Sequence, residues 1–403
     1  MFLQYSCGTR KKDLKYNEVI SPPPITSISD SIENKKQITE VMVIDTIDLL
    51  LIMPFELRKN FTMDTSDTFY DIQPGSLNAI NFYEGATLAA EDLQKSGVTV
   101  NLHAMESPRD SAGLSRIERS SMWNGADFVI AELSPSLVPV ISRRAKVTGK
   151  NVLLTQVIDP KILSNNENVM ITYASTITQC REMAAFLVDS FPDSQITLVF
   201  RKQKREDYLA GIFKESIKLK NPYQKVKEFD ASIKTVNDLI GKLSLAYNNM
   251  VVIVSSDEAF VSPYISGLNG LENIEWIDIA GLPTWQNFES INFMQFDSLS
   301  FYLFENNFID EYNVTNQTIR KKYIKTYSSD PNSYGYSGYR IIERIATNVI
   351  EAGRMDLKSI ASVDTLTREK YFNFLKVDSV SGYENNAISV LKIVDFRYKP
   401  LGK

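Results

Sequence analysis

The sequence predicts an α/β protein made of two doubly wound parallel-sheet lobes joined by a hinge. Three observations carry that prediction. The chain has 403 residues, more than the roughly 250–300 that one hydrophobic core organises. Short apolar runs alternate with longer segments whose apolar residues recur at helical spacing. That alternation runs through once and then begins again, which implies right-handed crossovers and two separate sheets, each covered on both faces.

The first series begins with Asp48–Phe55, an apolar run stopped by Pro54 and suited to a buried parallel strand. In Asn78–Ser96 the residues Ala79, Phe82, Ala86, Ala89 and Leu93 fall on one helical face, and Gly97 closes the helix. Strands are expected over Val98–Met105, Ala126–Leu133 and Asn151–Val157. Helices are expected over Ser111–Trp123 and Ser136–Thr148, the latter with Ser134 or Ser136 as N-cap. The second series places strands at Val169–Ala174, Gln195–Phe200, Val226–Phe229, Met250–Ser255 and Ile274–Ala280. Its helices are Thr176–Phe191, Glu206–Lys220, Val236–Tyr247 and Glu258–Leu271. The tail then breaks the alternation, with a strand at Ser298–Phe304, helices at Thr315–Tyr327 and Tyr336–Ala352, a turn at Gly382–Asn386 and a last strand at Ala387–Phe396.

Composition narrows the function. Lys and Arg number 44 against 49 Asp and Glu, a net charge of −5, which speaks against a nucleic-acid partner. No apolar run reaches the roughly 20 residues of a membrane-spanning helix, so membrane contact is expected only through a lipid anchor. With one histidine, His103, and two cysteines, Cys7 and Cys180, neither a metal centre nor a nucleophile–base pair has candidates, and no catalytic residue, metal or cofactor is expected. His103 reads as structural and Cys180 as an inert thiol inside a helix. Residues 1–40 are polar, with Pro22-Pro23-Pro24, and read as a tether. Ser6-Cys7-Gly8 ahead of a basic stretch resembles the end of a bacterial lipoprotein signal, in which the cysteine carries the lipid. A chance match is the alternative.

Five strings sharpen the fold. They are IDLLLIMPF at 47–55, NFYEGATLAAEDLQKSGVTVNLHAMES at 81–107, VIVSSDEAFVSPYISGLNGL at 252–271, GLPTWQNFESI at 281–291 and YGYSGYRIIERI at 334–345. In this order, over about residues 45–400, they resemble type I periplasmic-binding-protein-like modules of the leucine/isoleucine/valine-receptor group. GLPTWQNFESI resembles an envelope branch often linked to LysM peptidoglycan-binding repeats, although no such repeat stands out here. Arg340 stands where that group usually has Asp. The resemblance implies three chain crossings between lobes, expected near 157–160, near 281–285 and after 345. It divides the chain into lobe 1 over 41–157, lobe 2 over 158–283, and a return to lobe 1 with crossover segments over 284–403.

Ligands of such modules sit between the lobes at the carboxyl ends of the strands. The candidates there are Phe55 after the first strand, Ser134 and Ser136 in the loop after the third, and Thr155 ending the fourth. Tyr173 ends the first strand assigned to lobe 2, Asp257 precedes a helix, and Thr284 and Trp285 lie in the crossover string. By resemblance a Ser or Thr near 134–136 would hold an amino-acid carboxylate. Glu132, where relatives have a Gly-Pro turn, would oppose an anion. Each candidate also has a plain structural role: Ser134 and Ser136 as caps, Asp257 and Glu258 as helix-start carboxylates, Trp285 as a hinge packer. The expected function is an envelope solute-binding or receptor module for a small polar, amino-acid-like ligand. The alternative is a scaffold of the same fold that binds an envelope protein or peptidoglycan. A cleft with convergent polar groups favours the first, and a cleft filled by its own aromatics the second.

Overall fold

Strand β1 (Thr46–Met53) shows why this chain needs helices on both faces of its sheet. Side chains alternate across a strand. Ile47, Leu49, Leu51 and Met53 are buried in one apolar cluster, while Leu50 and Ile52 are buried in another. The computed structural model describes residues 44–61, 72–271, 274–291, 299–362, 371–395 and 397–401. Cys7 and the tether lie outside them.

Around β1 the first sheet is built from β2 (Thr99–Glu106), β3 (Phe128–Ala131), β4 (Asn151–Leu154) and β5 (Val169–Ile171). Helices α1 (Leu57–Phe61), α2 (Pro74–Lys95), α3 (Ser111–Glu118), α4 (Ser121–Gly125) and α5 (Val138–Thr148) alternate with these strands. The second sheet holds β6 (Gln195–Phe200), β7 (Val226–Asp230), β8 (Asn249–Ile253), β9 (Ile277–Gly281) and β10 (Ser300–Asn306). With it come helices α6 (Thr176–Ser190), α7 (Lys204–Lys220), α8 (Val236–Ile240) and α9 (Glu258–Asn269). Helices α10 (Val314–Tyr327), α11 (Ser333–Ala352) and α12 (Leu357–Ala361) come next, then β11 (Phe374–Lys376), β12 (Tyr383–Asn385), β13 (Ile388–Val394) and β14 (Arg397–Pro400). The strand orders are β11-β12-β5-β4-β3-β1-β2 and β14-β13-β10-β9-β8-β6-β7. Both sheets are parallel through their centres and antiparallel at one edge, where β11 pairs β12 and where β13 pairs β10 and β14.

The chain does cross between the sheets three times, but not where the sequence placed the first two crossings. Strand β5 pairs with β4 and β12, so lobe 1 runs on past residue 157 and the first crossing comes after Ile171. Strand β10 pairs with β9, so lobe 2 does not end at 283 and the second crossing comes after Asn306. The third is the two-residue step Asn386-Ala387 from β12 to β13. The sequence signals at 157–160 and 281–285 mark turns within a lobe. Local pattern reports where a strand ends, whereas sheet membership depends on distant pairing.

The crossings are fastened to one another. Asn306 accepts from the Ala174 N–H at 3.1 Å and donates to the Ala174 carbonyl at 3.2 Å. Asn385 donates to the Thr172 carbonyl at 3.0 Å. Buried Glu384 accepts from the Ser175 N–H at 2.8 Å and the Thr178 hydroxyl at 2.7 Å. All these strand ends and links lie within the single unit Met42–Lys403.

Helix α11 returns to lobe 1 and packs along α2. The approach is backbone to backbone: a Cβ on Gly85 would overlap the Gly335 carbonyl, and one on Gly338 would overlap the Phe82 carbonyl. Arg340, on the same helix, is buried with its guanidinium 3.1 Å from the centroid of the Tyr371 ring and hydrogen-bonded to Asn316. Its departure from the usual Asp therefore serves lobe 1 packing.

Helix contact and hinge can each be tested by substitution. Gly338→Ala is expected to destabilise by at least the ~1–3 kcal/mol of an overpacked core, read by urea unfolding; an unchanged midpoint would contradict the close approach. Asn306→Ala is expected to cost about 1–3 kcal/mol through the unpaired Ala174 N–H, the Ala174 carbonyl keeping its bond from Gln179, and hydrogen exchange at Ala174 should accelerate with it.

Candidate functional site between the lobes

A cavity of about 700 Å³ opens between the two sheets. Lobe 1 contributes Val157 and the start of α11, with Ser333, Tyr334 and Ser337. Lobe 2 contributes Thr176 and Gln179 of α6, Arg205 of α7, Ser256 and the turn Leu282–Asn287. The first two crossings supply the floor, with Tyr173 and Glu305 to Ile309.

Local backbone explains the floor. On β10, Tyr302 and Phe304 point toward Phe186 of α6, so Phe301, Leu303 and Glu305 occupy the opposite face. Phe301 meets Trp285, and Glu305 accepts a hydrogen bond from Gln286 of the same turn. Burial pushes the Glu305 carboxyl up to about 7, opposed only partly by Gln286 and the Asn306 N–H. Asn307 holds a left-handed φ of 51°, and its buried Oδ1 accepts no hydrogen bond among the described residues. The Tyr173 hydroxyl lies 3.2 Å from that of Ser337, joining the first crossing to α11. Glu132, just after β3, is half-buried, and burial raises its carboxyl too. Alongside burial, its charge raises the hydroxyls of both Tyr173 and Tyr334, but Glu132 does not itself line the cavity.

No family model and no curated protein matches the sequence. Solved structures do. A chain from Rhodospirillum rubrum superposes with a TM-score of 0.65 at 10% identity, over 89% of this chain and 100% of that one. An ABC transporter substrate-binding protein from Desulfitobacterium hafniense, in complex with Leu, gives 0.57 at 12% identity, over 88% and 100%. A branched-chain amino acid ABC transporter periplasmic ligand-binding protein from Burkholderia xenovorans gives 0.60 at 11%, over 89% and 94%. With two mixed sheets and three crossings already in place, these likenesses decide the architecture. The chain has the type I periplasmic-binding-protein fold.

Within that periplasmic-binding-protein fold, two of the eight sequence candidates line the cleft, Tyr173 and Thr284. Tyr173 comes after a lobe 1 strand, not a lobe 2 strand as its pattern implied. Trp285 is no cleft wall: it is 1% exposed, donates from Nε1 to the Ser255 carbonyl at 2.7 Å, and fills the space over Gly281, where a Cβ would strike its ring. Asp257 caps α9 and pairs with Arg201 at 2.8 Å. Ser134 and Ser136 are exposed, with their hydroxyls 3.2 Å apart. Neither caps α5, whose N-cap is Leu137, because Ser134-Pro135-Ser136 forms a preceding turn that keeps both hydroxyls off the helix N–H groups. Thr155 is buried, its hydroxyl on the Ala131 carbonyl, and Phe55 packs edge-on against Tyr83.

Sequence reasoning passed over Glu305, Asn307, Tyr334 and Ser337. The available signal was the carboxylate ending the apolar run SFYLFEN, at the carboxyl end of a strand. Cys180 is buried, its thiol pushed up to about 12 by desolvation, as an inert core thiol should be. His103 sits half-exposed on β2, 4.0 Å from Asp48.

Glu305 gives a pH prediction. Its folded value, about 7, lies above its ordinary carboxyl range, so the folded state binds the proton more tightly than the unfolded chain. That stabilisation is full below the unfolded value and is lost as pH rises through about 7. Unfolding free energies of the wild type at pH 5 and 8 should therefore differ more than those of Glu305→Gln. Equal differences would contradict the buried carboxyl.

Proposed function

We propose that this chain is a solute-binding or receptor module of the cell envelope that takes a small polar ligand between its lobes and acts by binding, not catalysis. The observation that carries this reading is the open cavity itself, lined from both lobes and floored by the chain crossings. A ligand touching both walls and the floor stabilises the closed arrangement relative to the open one, which is how hinge closure is driven. Tyr173 and Ser337, whose hydroxyls meet where the floor joins the lobe 1 wall, and Thr284 of the lobe 2 turn are the proposed contacts. The polar groups of Asn307 and Glu305 would orient the ligand.

An amino-acid-like ligand is the reading by likeness, since a structure of this fold was solved with Leu. The exposed positions of Ser134 and Ser136, with hydroxyls turned to each other, favour a grip unlike the one expected for an amino-acid carboxylate. A periplasmic or envelope location, with a lipid on Cys7, belongs to the same proposal. The scaffold alternative called for a cleft filled by its own aromatics, and the cavity volume of about 700 Å³ speaks for a ligand instead. A peptidoglycan or envelope-protein partner is the competing outcome.

The test is a thermal-shift screen of residues 41–403 against amino acids, short peptides and muropeptide fragments. A ligand at 100 times its Kd should add roughly 2.7 kcal/mol. A saturable shift, with affinity lost at least tenfold in Tyr173→Ala and binding accompanied by a smaller radius of gyration in solution scattering, is the expected result. No shift from a cooperatively folded protein would move the function to the partner-binding alternative.

A further inference from the structure

We propose that the ligand between the lobes is an organic cation rich in N–H donors, an amine or guanidinium compound, held by Glu305 and Asn307 at the floor. The proposal rests on the solute-binding reading above and names its ligand class.

The acceptors at the cleft floor are short of donors. Glu305 receives one side-chain hydrogen bond, from Gln286. The buried Asn307 Oδ1 receives none among the described residues. A carboxylate withdrawn from water without a cation is costly, as is an unsatisfied buried acceptor. A ligand that brings N–H groups and positive charge removes both costs at once, and charge-assisted hydrogen bonds are the stronger kind.

The surroundings of Glu305 agree element by element. Gln286 from the turn, Tyr173 from the first crossing and Tyr398 from β14 all face it uncharged. Lys392 of β13 sits opposite Tyr302, 5.4 Å from that ring, on the sheet face away from Glu305. Arg205 lines the rim from α7 but is exposed to water. The Glu305 carboxyl is held above its ordinary range by burial, with no cation acting to lower it. An incoming cation supplies the missing charge, and Glu305 gives up its proton as it binds.

The experiment uses titration calorimetry of the 41–403 protein, whose described fold is the single unit beginning at residue 42. Probes are cadaverine and agmatine, the neutral isostere 1,5-pentanediol and the anion glutarate. The amines are expected to bind saturably and the other two not. Amine affinity should fall about tenfold or more from pH 8 to pH 5.5 as Glu305 takes up its proton. It should fall at least tenfold in Glu305→Gln. Unchanged amine affinity in a folded Glu305→Gln, or a pH-independent affinity in the wild type, overturns the proposal; the second measurement needs no variant. Binding of pentanediol or glutarate with both amines silent overturns it while leaving the solute-binding reading intact. Silence of these four probes together with a flat thermal-shift screen overturns both.

Discussion

The contact between α2 and α11 constrains the path of the whole chain. Two helices that meet through Gly85 and Gly338, with the Gly335 carbonyl seated against Gly85, come closer than a Cβ at either position permits. The first sheet is thereby covered by a helix whose sequence lies beyond most of the second lobe. The chain must leave lobe 1, build lobe 2 and return. Having returned, it leaves again so that β13 and β14 can complete the second sheet. That topology requires three crossings, and the crossings in turn give the cleft a floor of backbone. Glu305 and Asn307 stand where they do because β10 is the last strand before the return.

Much of this was legible in the residues, and what failed, failed for one reason. The apolar run in β1 and the alternation of strand and helix patterns pointed to two sheets, because burial on both faces leaves a local signature. Gly85 and Gly338 sit in the strings that carried the family resemblance, so those strings encode helix packing more than ligand chemistry. Crossing positions were misplaced because pairing of β5 with β12, or of β10 with β13, is a relation between segments distant in sequence. The candidate site suffered likewise. Trp285 stood out by rarity, yet an indole over Gly281 with its N–H on the Ser255 carbonyl is a core side chain. Tyr173 and Thr284 line the cavity because each follows the carboxyl end of a strand, although the lobe of the one and the crossing at the other were misplaced. Glu305 was missed because its significance is burial, which a sequence does not print.

Hinge and site are made from the same kinds of side chain, and satisfaction of their hydrogen bonds separates them. Asn306, Glu384 and Asn385 each place a polar group against backbone or hydroxyl partners across the crossings. Such answered buried groups fix one geometry, since any displacement leaves donors and acceptors unpaired. One residue along from Asn306, the amide oxygen of Asn307 goes unanswered, and one residue before it Glu305 is answered only in part. The same short segment therefore holds a rigid fastening between two under-satisfied acceptors. A group that enters the cleft and supplies the missing donors meets a floor already anchored to both lobes, so its binding energy is available for drawing the walls together instead of ordering the floor.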